Sequence, residues 1–177
     1  MRLTSDYRRV KALFNTPVGQ EIKYDEGLRE ITTEFTVGPF TYRVSFEPDS
    51  RDKTTSVVFE LVDINATDEE LVEMMSRWSG EQLSLEEAKK VKNRILEYRS
   101  IDVLEIMGNY VIKVFSHVFN IIKDYAETYG PRCITCTGST TGRGNLYHKM
   151  ARKAFPDAHI EVRPLSWGPG IELTVCF

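Results

Sequence analysis

Few residues of this chain have the types and spacing for chemistry, and they lie far apart. Cys133, Cys136 and Cys176 include one Cys-x-x-Cys spacing, which is half of a zinc centre or a redox pair. That spacing falls in Arg132-Cys-Ile-Thr-Cys-Thr137, which reads as a strand, and residues three apart on a strand point to opposite faces. A zinc site needs more ligands, and His117, His148 and His159 show no metal-ligand spacing. The expectation is no metal site, with the cysteines as small buried side chains in a reducing compartment. Ser139-Thr-Thr-Gly142-Arg143-Gly144 is a second candidate. Its glycines could open backbone amides to an anion and Arg143 could contact it, but the same string also makes an ordinary strand-to-helix connection. His117 reads either as a core or boundary histidine within an apolar helix or as a catalytic base.

The chain that must position these groups has 177 residues, enough for one domain with a sizeable core. Its hydrophobic content of 41% and charged content of 28% are ordinary for a globular protein. A formal charge of −3 gives no general pull toward nucleic acid or an anionic membrane. No apolar run reaches the roughly 18 residues of a membrane span, and Met1-Arg-Leu-Thr-Ser-Asp-Tyr-Arg-Arg9 has no apolar signal core. A cytoplasmic location is expected.

Tyr7, Val10, Leu13 and Phe14 recur at helical spacing, predicting a short amphipathic helix over residues 1–16. Period-two alternation follows in Ile31–Thr36 and Tyr42–Phe46, with Gly38-Pro39 turning the chain between them. After the polar turn Pro48–Lys53, Val57–Val62 reads as a strand more buried than its neighbours, completing a three-stranded antiparallel meander. Thr67-Asp-Glu-Glu70 and Ser84-Leu-Glu-Glu87 match the capping box and predict helices over 67–78 and 84–99. The charges Glu86, Glu87, Lys89, Lys90, Lys92 and Arg94 read as a solvated helix face. Residues 108–128 form a broadly apolar helix of the kind that packs on a sheet, and Gly130-Pro131 stops it. The strand 132–137, a helix over 143–155 and a closing hairpin of Ala158–Pro164 and Ile171–Phe177 complete the order.

That order resembles the general N-acetyltransferase (GNAT) fold from its second strand onward. Residues 108–128 take the place of the central helix, 132–137 the fifth strand and 143–155 the helix after it, while 1–30 replace the first strand and helix. Two strings also resemble a group of uncharacterised tailed-phage proteins of GNAT-like fold: Gly108-Asn-x-x-x-Lys-Val-Phe-Ser-x-Val-x-x-Ile-Ile and Arg143-x-x-Leu-Tyr147-x-x-Met-Ala-Arg-Lys. The resemblance implies an α/β (α+β) fold. It would be a mixed, mainly antiparallel sheet flanked by helices, forming a single domain over 1–177 with a helical insertion at about 65–100.

In the family, the acyl-CoA pyrophosphate rests on amides at the start of the central helix, beside a Gln/Arg-x-x-Gly-x-Gly/Ala loop. Here that stretch reads Glu105-Ile-Met-Gly108-Asn109-Tyr110, and only Gly108 matches. The negative Glu105 disfavours a pyrophosphate, and Tyr110 stands where a tiny side chain is wanted. By the same resemblance Tyr147 is the general acid that protonates the departing thiolate, or else a buried anchor of its helix. Glu60 or Asp63, toward the end of the third meander strand, is the base.

Two functions follow. One is a phage-encoded scaffold with a degenerate acyl-CoA loop and no cofactor. It binds a protein partner, either a host factor or the phage's own machinery, through the inserted helices, whose Met74, Met75 and Trp78 read equally as an interface group or as core packing; it is cytoplasmic or virion-associated. The other is an N-acyltransferase that uses acetyl-CoA, held at Gly108 and Asn109. A nucleotide-binding or ADP-ribosyl role at Gly142 and Arg143 lacks a paired-glutamate signature.

Overall fold

The computed structural model describes residues 22–26, 29–98, 110–138, 141–166 and 170–177. The helix expected over 1–16 lies outside these residues, as do Gly108 and Asn109. The strands are β1 (Asp25–Glu26), β2 (Ile31–Val37), β3 (Phe40–Asp49), β4 (Thr54–Ile64), β5 (Cys133–Gly138), β6 (His159–Pro164) and β7 (Ile171–Cys176). The described helices are α1 (Asp68–Ser79), α2 (Leu85–Tyr98), α3 (Val111–Tyr129) and α4 (Thr141–Ala154). The strands form one 7-stranded sheet in the order β1-β2-β3-β4-β5-β7-β6. The β4–β5 pair is parallel, while β1–β2, β5–β7 and β6–β7 are antiparallel. Parallel neighbours need a long crossover, and α1, α2 and α3 supply it. From β2 onward, this mixed α+β fold has the element order that the N-acetyltransferase resemblance implies.

The chain groups into two compact units. One comprises Glu34–Arg43 and Phe59–Val114; the other comprises the residues up to Thr33, Val44–Val58 and Phe115–Phe177.

In the first unit the helical pair is fixed by local chemistry. Glu70 N–H donates to Thr67 Oγ1 at 3.3 Å and Thr67 N–H donates to Glu70 Oε2 at 2.9 Å, completing the capping box. Ser84 and Glu87 repeat the exchange at 2.8 and 3.4 Å. Each cap contributes about 1 kcal/mol. Gly80 closes α1 at φ 74°, its N–H bonded to the Ser76 carbonyl at 3.0 Å. Leu71, Met75, Ala88 and Ile95 form the buried stripe.

One open reading is decided here and two expectations need correcting. Met75 is fully buried while Trp78 is 42% exposed, so the two open readings of this apolar group divide between them, core packing for Met75 and surface for Trp78. Lys92 is turned inward, away from the solvated face. On β4, Val58 is 48% exposed, so the strand carries one open face and is not buried throughout.

In the second unit α3 buries Phe115, Val118, Phe119, Ile122 and Tyr125. Each such side chain contributes roughly 1.5–3 kcal/mol. Tyr125 stacks on Phe46 of β3 at 3.8 Å, with ring planes 2° apart. Gly130, at φ 58°, ends the helix with its N–H on the Ala126 carbonyl at 3.1 Å. The β5–β7–β6 register puts Ile134, Val175 and Ile160 in one row, and Cys133, Cys176 and His159 in the row beside it on the opposite face. One face of these strands is therefore apolar, and the other carries Thr135, Thr137, Glu172, Thr174, Glu161 and Arg163. Helix α4 packs against all three strands.

Candidate functional site

The two carboxylates assigned as bases are already occupied by neighbouring cations. On β4, the Glu60 carboxylate is 17% exposed and lies 3.9 Å from Arg43 Nη1. The same guanidinium donates twice to Glu34 Oε1, at 3.0 and 2.8 Å, so Arg43 bridges two acids on one sheet face. Asp63 lies 3.1 Å from Lys92 Nζ and accepts from the Ile64 N–H at 2.7 Å. Lys92 also donates to the Ile64 carbonyl at 2.6 Å. The bond from Lys92 holds the Asp63 carboxyl below the usual aspartate range. A general base is most effective with a pKa near the working pH, so this shift is opposite to what proton abstraction needs.

Tyr110 opens α3. Its ring packs edge-on against Phe40 with centroids 5.9 Å apart. It also covers Gly38 in the β2–β3 turn so closely that a Cβ there would lie 2.7 Å from ring carbons. Gly38 adopts φ 59° at the first central position of a two-residue hairpin turn, where glycine is favoured. A bulky ring therefore stands at Tyr110, the position where the resemblance expects a minimal side chain, while the expected cofactor residues Gly108 and Asn109 lie outside the described residues.

Tyr147 belongs to the other unit. It is 2% exposed, and its ring lies 5.1 Å from that of Phe115. Gly142, expected in a loop before the helix, and Arg143, expected at its start, both lie within the first turn of α4. The connection is shorter than its polar composition suggests, because a helix's first turn has no internal use for its N–H groups and tolerates glycine. His117 is half-buried on α3, and burial lowers its pKa.

The cysteine expectation is overturned in part. Cys133 and Cys176 are opposite one another on β5 and β7, with Cα atoms 4.1 Å apart, and form a disulfide. A strand reading gives each cysteine its face but cannot show which strand lies alongside, so sequence spacing missed the pair 43 residues apart. Cys136 points to the apolar face, where burial pushes its thiol up to about 12. No cluster of potential metal ligands occurs among the described residues.

Sequence reasoning also missed a tyrosine cluster. Tyr24 packs edge-on against Phe46, Tyr125 and Tyr129, and Tyr125 stacks on Tyr129 at 4.7 Å. Tyr24 donates to Asp124 at 2.8 Å and Tyr129 donates to Glu26 at 2.7 Å. Burial first, then Asp124, raises the Tyr24 hydroxyl pKa; the bond to Glu26 pushes Tyr129 up to about 12. Both hydroxyls are thus proton donors at neutral pH that tie β1 and its approach to α3. The i, i+4 spacing of Tyr125 and Tyr129 was the one local signal.

Among the described residues no helix is long and apolar enough to cross a membrane. Compared with known protein families and with curated proteins, the chain matches none. Among solved structures it is similar to FeeM, an N-acyl amino acid synthase from uncultured soil microbes. The identity is 10% and the TM-score 0.35, over 99% of this chain and 88% of that one.

Proposed function

We propose that this chain is a GNAT-like scaffold that binds a protein partner and does not transfer acyl groups. The observation that carries this reading is the burial of Tyr147 at 2% exposure against Phe115, which puts the assigned acid into packing. The Tyr110 ring over Gly38 and the lysine on Asp63 point the same way. The partner surface is the helical pair α1–α2, which displays Trp78 at 42% exposure beside the charged residues Glu73 and Arg77. The resemblance to tailed-phage proteins makes a host factor or the phage's own machinery the partner class to screen, in the host cytoplasm or on the virion.

Calorimetry with acetyl-CoA, using CoA as control, tests the reading. No heat at millimolar ligand is expected. Micromolar binding together with acyl transfer that Tyr147→Phe abolishes would restore the N-acyltransferase reading.

A further inference from the structure

Among the described strands, β6 ends the sheet with β7 on one side only. We propose that this edge pairs antiparallel with β6 of a second copy of the chain, about a two-fold axis through Val162.

The backbone pattern decides which residues can reach across. Along an antiparallel pair the hydrogen-bonded positions alternate. Leu165 N–H donates to the Gly170 carbonyl at 2.9 Å, so the register directs the main-chain groups of His159, Glu161 and Arg163 to β7. Those of Ile160, Val162 and Pro164 point outward. Pro164, which has no N–H, stands where the sheet itself requires none.

Charge then selects the register. Arg163 Nε and Nη2 donate to Glu161 Oε1 and Oε2 at 2.8 and 2.9 Å, and both side chains are largely exposed. Outward residues must face outward residues, which leaves three central alignments. Val162 opposite Ile160 brings Glu161 onto Glu161 of the second copy, and Val162 opposite Pro164 brings Arg163 onto Arg163. Val162 opposite Val162 puts each Glu161 across from an Arg163, so that every charge has opposite charges both along and across the strands. In this register the two Val162 residues exchange both main-chain hydrogen bonds, and each Ile160 N–H donates to the Pro164 carbonyl of the other copy, while Pro164, without an N–H, gives nothing to the Ile160 carbonyl. Val162, 39% exposed in the single chain, is covered by its counterpart. Two-fold pairing consumes the β6 edge, so assembly closes at a dimer.

Sedimentation equilibrium of the full chain is the test. The expected mass is twice the chain's 20.4 kDa. Val162→Pro should give a monomer with an unchanged circular dichroism spectrum, because that N–H makes no bond within the sheet. Glu161→Arg and Arg163→Glu should each be monomeric alone, and mixing them should restore the dimer, since both cross-strand contacts again join opposite charges. A wild-type chain that stays monomeric at ~100 μM, a Val162→Pro dimer, or a mixture that does not associate would overturn the proposal.

Discussion

The helical pair α1–α2 and the β5–β7–β6 strands are held by opposite kinds of contact. In the helical pair the specifying bonds are short in sequence. Thr67 meets Glu70, Ser84 meets Glu87, and Arg77 meets Glu73. In the unit that contains the strands, partners lie far apart along the chain: Cys133 with Cys176, Ser56 with Thr135, Tyr24 with Asp124. The first region is written into consecutive residues. The second exists only once loops of tens of residues have closed, at an entropic cost that only packing and cross-linking offset. Elements built on local bonds can present a surface with little dependence on the rest, whereas the long-range region is where one missing link is felt widely.

The sharpest way to break this contrast is to remove the long-range link. Cys133→Ser with Cys176→Ser should lower the unfolding free energy by about 4 kcal/mol, the scale of a cross-link closing a loop of this length. Denaturant titration of the double variant, compared with wild type under dithiothreitol, measures the loss. An unchanged midpoint in both would show that packing alone holds these strands.

A smaller effect is expected from two glycines in the other unit. Gly38 and Gly80 both have positive φ, but a Cβ at Gly38 meets the Tyr110 ring while one at Gly80 meets nothing within 4 Å. Alanine at either position bears the left-handed penalty of about 1–2 kcal/mol, and Gly38→Ala adds the displacement of the ring. Thermal melts should therefore rank Gly38→Ala as the more damaging. Equal losses would mean that Tyr110 moves aside easily.

The smallest effect belongs to the capping boxes. Thr67→Ala should cost about 1 kcal/mol at neutral pH. The bond from the Thr67 N–H lowers the Glu70 pKa, so Glu70 stabilises the helix above the ordinary glutamate range and loses that contribution as pH falls through its folded value. Stability curves of Glu70→Gln and wild type should accordingly differ near pH 7 and converge only once the pH has fallen through the lowered Glu70 value. A difference that persists in acid would assign the effect to something other than the carboxylate.

How much was legible beforehand follows the same division. Both capping boxes, the Gly38-Pro39 turn, the Gly130 stop and the apolar stripe of α3 stand where local pattern puts them. Lys92 was misread because its inward turn depends on Asp63 and the Ile64 carbonyl, residues that no helix periodicity encodes. Gly142 was misread as loop because helix starts have weak boundaries. Tyr147 could be placed on its helix from the sequence, but not assigned between acid and anchor, because burial is a property of what packs around it.

The sequence by itself determined which segments become helices or strands, where they stop, and which face of each is apolar, because caps, turns and periodicity act within a few residues. The tertiary structure alone decided that Cys133 faces Cys176, that Tyr110 lies over Gly38, and that Asp63 is bound by a lysine from α2. Those pairings depend on strand order and register, which are set by the summed burial of many side chains and not by any short stretch of the chain.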